Sequence, residues 1–219
     1  MALAAAARAG FEMRLAFFGG SFDPPHRGHL AIATAAICHL SLDRVLFAPT
    51  GKQPLKRAGA SASFADRLAM VALLCGSESA LAASEIDAPH ADGSPNYTVD
   101  ALKHLRQQDS KVELFSIVGA DNLVELPRWR EANRLFELAT WIAVSRPGSR
   151  PLVDLAPALR VQRDIGRLRL ISDVEVAVSS TELRHRLCRG EDCGDAIPPN
   201  ILNYIRGRDL YSPRAPDCA

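Results

Sequence analysis

Two histidines three residues apart, His26 and His29, lie in the run Gly19-Gly20-Ser21-Phe22-Asp23-Pro24-Pro25-His26-Arg27-Gly28-His29-Leu30. On a helix, positions i and i+3 share a face, so both imidazoles can address one anion. Glycines ahead of a helix start expose backbone N–H groups, and the positive end of the helix dipole adds to them, which makes a phosphate site. A second set of anion-binding groups lies far downstream in Val178-Ser179-Ser180-Thr181-Glu182-Leu183-Arg184. It offers the hydroxyls of Ser179, Ser180 and Thr181 and the permanent cation of Arg184. Arg184 falls one helical turn after Ser180-Thr181, so a helix N-terminus and its arginine can face one phosphate group.

Neither common phosphate fingerprint is present. There is no GxxxxGK[ST], and Gly19-Gly20-Ser21 does not continue as GxGxxG. The site must be of another type. Asp23, before Pro24, suits a turn-shaping role, with metal ligation as the alternative. Gly28 is held small either by a close phosphate or by helix packing. The isolated histidines His39, His90, His104 and His185 read as surface or structural residues.

These groups need a frame to hold them. The apolar run 15–18 predicts a buried strand, and 30–40 a helix. Further strands are predicted at 45–48, 82–86, 112–118, 140–144 and 169–171, and helices at 64–74, 98–107, 129–138, 153–159, 181–189 and 199–207. Alternation of this kind predicts an α/β fold, a parallel sheet covered by helices on both faces. Ligands in such sheets bind at the carboxyl ends of the strands, which is where the histidine run falls. The breaker-rich loops 49–61, with Lys52, Lys56 and Arg57, and 89–95 are candidates for function or mobility.

At 219 residues, 47% of them hydrophobic, the chain supports one sizeable core. Residues 13–207 are read as a single domain, 1–12 as a disordered Ala-rich extension with Met13 as a candidate start, and 208–219 as a loosely ordered tail. A net charge of +1 gives no basic field for a nucleic-acid partner. No apolar run approaches the length of a membrane span. Five cysteines without a CxxC suit neither a disulfide framework nor a zinc knuckle and fit a reducing cytoplasm; Cys38 and Cys75 read as core thiols.

The run GGSFDPPHRGHL resembles the GSFDPxHxGH signature of the nucleotidyltransferase superfamily that shares the HxGH motif. Val178 to Arg184 resembles that superfamily's SSTxxR element. Asn96-Tyr97-Thr98-Val99-Asp100-Ala101-Leu102, Gly119-Ala120-Asp121-Asn122-Leu123, Leu126-Pro127-Arg128-Trp129 and Val144-Ser145-Arg146-Pro147-Gly148 are similar to segments of bacterial nicotinate-mononucleotide adenylyltransferases. The likeness runs from about residue 14 to about residue 204. It implies a Rossmann-like parallel sheet flanked by helices, with a small C-terminal helical portion. It also implies a reaction in which ATP and nicotinate mononucleotide give nicotinate adenine dinucleotide and pyrophosphate.

The physics of that reaction suits the residues. A 5′-phosphate nucleophile is already ionised near neutral pH, its second pKa being about 6, and needs no general base. Two anionic groups must be held together, and the charge developing on the leaving pyrophosphate must be stabilised. By resemblance, His26 and His29 hold the ATP phosphates within Gly20, Ser21, Phe22 and Gly28. Ser179, Thr181 and Arg184 hold the β and γ end, and Ser180 is a further ATP-binding residue. Gly119 and Asp121 lie near adenosine, with Asp121 either at the ribose or at a helix N-cap.

For the acceptor, Trp129 offers an aromatic face to a pyridinium ring, and Thr98 at a helix start offers a donor to the nicotinate carboxylate. Lys56 is carried over from the basic loop, either as a solvated residue or as one that closes over phosphates. Mg2+ is expected to travel with ATP, since no carboxylate cluster is built to hold it. Phosphopantetheine adenylyltransferases usually lack the first histidine, and cytidylyltransferases do not account for Asn96-Tyr97-Thr98 or Leu126-Pro127-Arg128-Trp129. An enzyme preferring nicotinamide mononucleotide is the closer alternative. A non-catalytic nucleotide-binding regulator would be expected to lack His29 or Arg184.

Overall fold

Leu15, Ala16, Phe17 and Phe18 are all buried in the first strand, β1 (Met13–Gly20). A strand buried on both faces carries a continuous apolar run instead of an alternating one, because helices cover both sides of a parallel sheet. The structure is a computed structural model that describes residues 12–54, 59–123, 125–144, 167–172, 174 and 178–212. β1 pairs in parallel with β2 (Arg44–Pro49) on one side and with β4 (Val112–Gly119) on the other. β3 (Leu81–Ala83), β5 (Thr140–Val144) and β6 (Leu168–Ile171) complete a six-stranded sheet of order β3-β2-β1-β4-β5-β6. All pairings among the described residues are parallel. This is the doubly wound, Rossmann-like order, and its winding reverses between β1 and β4.

Side-chain alternation along β1 divides the interior into two cores. Ala16 and Phe18 join Phe47, Ile117, Ile142 and Val144 on one face. Leu15 and Phe17 join Leu114, Val118, Trp141 and Ala143 on the other. The first face is covered by α1 (Arg27–Leu40), α2 (Phe64–Cys75), α6 (Ser180–Cys188) and α7 (Pro199–Gly207). The second is covered by α3 (Thr98–Gln108) and α5 (Ala132–Leu138). A four-residue helix, α4 (Ala120–Leu123), follows β4, and a 3₁₀ turn spans Leu126–Arg128. The small C-terminal helical portion, α6 and α7, packs onto the first core beside α1 and α2.

The expected elements recur with informative differences. The third strand ends at Ala83, not at residue 86, because it pairs only with β2 at the edge of the sheet. The helix expected from Trp129 begins at Ala132. Leu126 starts the 3₁₀ turn with Pro127 in its first positions, Trp129 closes it, and Glu131 then takes a left-handed conformation (φ 53°). Cys75 is buried, which pushes its thiol up to about 11, but Cys38 is exposed. The buried stripe of α1 is Gly28, Ile32, Ala33 and Ala36, and Cys38 lies off it. Cys193 is a free buried thiol, whereas Cys188 is held in a disulfide. The predicted helix 153–159, Lys56, Arg57 and residues 1–11 lie outside the described residues. Among the described residues no helix is long and apolar enough to cross a membrane.

Of the expected tail 208–219, residues 208–212 are described and 213–219 lie outside the described residues. Tyr211 is buried, and its hydroxyl donates to Oδ1 of Asp23 at 2.7 Å. Loss of water on burial raises the phenol's pKa, and the neighbouring Asp23 charge and hydrogen bond raise it further, so the hydroxyl stays a donor.

Candidate active site

Gly20 ends β1, and the loop after it crosses the carboxyl edge of the sheet beside the point where the winding reverses. Phe22 occupies the left-handed region (φ 47°) with its ring buried against Phe18 and Phe47. A bulky residue with positive φ is strained and persists only where its surroundings over-determine it. Here the buried ring is the anchor that curls the loop. A Cβ on Gly20 would lie 3.1 Å from that ring, which explains glycine there without any appeal to φ.

α1 starts directly behind this loop. His26 is its N-cap residue and is buried; Gly28 is buried in the first turn, and His29 is half-buried. The His26 N–H donates to Nδ1 of His29 at 3.2 Å, and the two rings stack with centroids 3.7 Å apart and an interplanar angle of 28°. The Phe22 ring meets His29 edge-on at 4.9 Å. With Nδ1 accepting a backbone hydrogen bond, a neutral His29 carries its proton on Nε2. The histidine pair is thus held by the backbone of the helix start itself.

The downstream segment meets this loop. Ser179 is the N-cap of α6 and makes no side-chain cap bond, Thr181 is exposed, and Arg184 is half-buried. Nη1 of Arg184 donates to the carbonyl of Asp23 at 2.7 Å, and Nη2 donates to Oγ1 of Thr181 at 3.3 Å. The Ser180 hydroxyl donates to the carbonyl of Pro24 at 3.0 Å, so its proton ties the two segments together. Arg27 adds a backbone bond to Ala196 at 2.8 Å. The residues that sequence spacing separates by most of the chain therefore share one side of the molecule.

Asp23 joins these pieces. Its Oδ2 accepts from the Ser61 N–H at 2.7 Å, and its Oδ1 accepts from the Ala62 N–H at 3.0 Å and from Tyr211. Arg184 stands 3.8 Å from Oδ2. The turn-shaping role is thus met with a wider reach, since Asp23 pins the α2 entry and the C-terminal segment to the same loop. Sequence reasoning missed Tyr211 and Arg67, both buried partners of this loop. A polar residue at a helix position whose neighbours are core is the one local signal for Arg67.

Two of the acceptor-side candidates, Thr98 and Trp129, lie on the elements before and after β4. Thr98 is the first residue of α3, and Tyr97 is its N-cap. Trp129 is half-buried and packs edge-on to Trp141 at 6.0 Å. Arg130 lies 4.6 Å above the Tyr97 ring and 3.7 Å from the Asp100 carboxylate. These contacts fasten the Trp129 turn to the start of α3. Gly119 closes β4, and Asp121 is the second residue of α4. Lys52 donates from Nζ to the Gly93 carbonyl at 2.7 Å, joining the two breaker-rich loops. Asp87, buried beneath them, has its carboxyl pushed up to about 6 by burial, against the opposing hydrogen bonds of Thr50 and Asn96. His39, His90, His104 and His185 are all exposed.

Residues 17–186 match the family model described as cytidylyltransferase-like. A protein of Roseiflexus castenholzii named "Probable nicotinate-nucleotide adenylyltransferase" is 40% identical over 199 residues, which cover 90% of this chain and 98% of the relative. One of Gloeobacter violaceus with the same name is 37% identical over 90% of this chain and 96% of its own. Among solved structures, Plasmodium falciparum nicotinic acid mononucleotide adenylyltransferase complexed with NaAD superposes with a TM-score of 0.73 at 19% identity, covering 91% of this chain and 97% of that one.

Proposed function

The chain belongs to the cytidylyltransferase-like family, and we propose that it is the enzyme that transfers AMP from ATP to nicotinate mononucleotide. An oxygen of the acceptor 5′-phosphate attacks the α-phosphorus of ATP. The new P–O bond closes the pyrophosphate bridge of nicotinate adenine dinucleotide, the α–β bridging bond breaks, and pyrophosphate leaves with the electron pair. No proton has to be removed from the nucleophile, so positioning and charge stabilisation carry the rate. One observation carries the reading: Arg184 and Ser180 bond directly to the loop that bears His26 and His29. A triphosphate lying between the two segments meets donors from both. The names of relatives 37–40% identical over most of the chain agree with it.

In this reading His26, His29 and backbone groups of Gly20, Ser21, Phe22 and Gly28 hold the triphosphate. Ser179, Thr181 and Arg184 take its β and γ end, and Ser180 holds the two segments together. Gly119 and Asp121 serve adenosine, with Asp121 at the ribose. Trp129 stacks on the pyridinium, Thr98 donates to the carboxylate, and Lys56 belongs to the acceptor side. Mg2+ enters bound to ATP. Its coordination is assigned to triphosphate oxygens and water, as suits an ion that keeps several waters and binds substrate phosphates.

The test is pyrophosphate release from Mg–ATP with nicotinate mononucleotide, its amide and phosphopantetheine in parallel. Nicotinate mononucleotide is expected to be the fastest acceptor, and an equal or greater rate with either of the others overturns the assignment. Trp129→Ala is expected to raise the acceptor KM about tenfold, the worth of one cation–π face in a partly desolvated site, with kcat changed much less. An unchanged acceptor KM removes Trp129 from the site.

A further inference from the structure

Arg67 is a buried cation that neither phosphate motif accounts for. Its side chain on α2 is 2% exposed. Nη1 donates to the Ser21 carbonyl at 2.7 Å, Nη2 to the Thr50 carbonyl at 2.9 Å, and Nε to the Ala62 carbonyl at 3.3 Å. Ser21 is the first residue after β1, and Thr50 the first after β2. One guanidinium therefore bridges the exits of two neighbouring strands at the carboxyl edge of the sheet.

The second of those exits leads on to the acceptor side. The Gly51 N–H donates to the Asp87 carbonyl at 2.8 Å. The Lys52 N–H donates to Oδ1 of Asn96 at 2.8 Å, the Asn96 N–H returns a bond to the Lys52 carbonyl at 2.9 Å, and Nδ2 of Asn96 donates to the Ala88 carbonyl at 2.8 Å. The seam has no slack: a Cβ on Gly51 would lie 2.5 Å from the Pro89 nitrogen and 2.6 Å from Oδ1 of Asn96. Asn96 immediately precedes Tyr97 and Thr98, where α3 begins. A chain of fixed contacts thus runs from the loop of the histidine pair, through Arg67 and the Thr50–Lys52 strand exit, to the start of α3.

Removing a cation from water works against its charge, and burial lowers the Arg67 pKa accordingly. A well-packed apolar side chain would fill the space without that cost. What the guanidinium adds is a rigid planar fork whose three separate nitrogens reach three carbonyls at fixed spacing, where a lysine has its three N–H donors on one rotatable nitrogen.

We infer that Arg67 is a positioning residue that sets the distance between the triphosphate end and the acceptor end of the site. The inference rests on the adenylyl-transfer reading, in which the attacking oxygen and the α-phosphorus must be held at near-attack distance. Arg67 touches neither substrate and acts through the loops it ties.

The test uses Arg67→Lys and Asn96→Ala in the full chain, the second loosening the same seam from the acceptor side. At saturating Mg–ATP and nicotinate mononucleotide, kcat for Arg67→Lys is expected to fall about 10²-fold, the cost of about 1 Å of misplacement. Asn96→Ala is expected to fall in the same direction. The Kd of each substrate measured alone by calorimetry is expected to change less than about threefold, because each half-site stays intact. Unchanged kcat in the variants overturns the inference. A fall in kcat matched by an equal loss of single-substrate binding also overturns it, since that pattern is local collapse. If Arg67→Lys does not fold, Asn96→Ala decides by the same outcomes. A wild-type chain that releases no pyrophosphate with nicotinate mononucleotide sinks the parent reading; an active wild type with unaltered variants sinks this inference alone.

Discussion

Replacing His29 by alanine is expected to lower kcat for pyrophosphate release by about 10²–10³-fold, the usual cost of one preorganised donor lost from a site of developing charge. The protein should stay folded. His29 is half-buried, and its contacts include one hydrogen bond from the His26 N–H and the rings of His26, Phe18 and Phe22. A bond of that kind is worth about 1 kcal/mol net, a small part of the stability of a domain this size. Urea unfolding followed beside steady-state turnover separates the two effects.

His29→Asn sharpens the test, because Oδ1 of asparagine can accept the same N–H while nothing replaces the proton on Nε2. The asparagine variant is expected to recover the stability lost in alanine and none of the turnover. If alanine unfolds the chain at ordinary temperature, or if asparagine restores activity, His29 is a cap and not a phosphate ligand.

How much of this was legible in the sequence depended on the range of the interaction. Leu15 to Phe18 announced a strand buried on both faces, and the glycines after it announced a turn at the ligand edge. Each of those signals lies within a few residues of what it specifies. Parallel pairing and the covering helices followed from alternation along the chain. The two phosphate segments were legible as residue types, and their meeting followed from the resemblance. The bonds that make them meet were not legible. Ser180 to Pro24, Arg184 to Asp23, Arg67 to Ser21 and Tyr211 to Asp23 join residues far apart in sequence. Three of these use backbone carbonyls as acceptors, and a carbonyl carries no residue identity to read. The Trp129 turn was misjudged for a related reason. An apolar pattern from 129 to 138 fits a helix, and only the tertiary packing of Trp129 against Trp141, with Glu131 turned left-handed, moves the start to Ala132.

The second large effect belongs to Arg184, and its size follows from how the guanidinium is held. One edge is anchored, through Nη1 to the Asp23 carbonyl and through Nη2 to Thr181. The Asp23 carboxylate is the nearest opposing charge, yet its oxygens already accept from Ser61, Ala62 and Tyr211, and the ion-pair distance is a loose 3.8 Å. Arg184 is therefore oriented by neutral acceptors, and its charge is not cancelled by a tight carboxylate. That arrangement suits a group meant to meet the charge of a departing pyrophosphate.

Arg184→Ala is expected to lower kcat/KM for ATP by about 10³-fold, in the range seen when a cationic clamp on a transferring phosphoryl group is lost. In the reverse direction it should weaken pyrophosphate as a substrate. Arg184→Lys keeps a charge but not the fork, so it is expected to recover only about a tenth of the lost activity. Recovery to wild-type rates in lysine would mean that charge alone matters and that the anchoring by Asp23 and Thr181 is incidental. An alanine variant with unaltered pyrophosphate KM would show that Arg184 serves the loop instead of the leaving group. Because the same guanidinium bonds the carbonyl of Asp23, the alanine variant should also free the histidine loop, and amide exchange at Phe22 and Asp23 measures that separately from turnover.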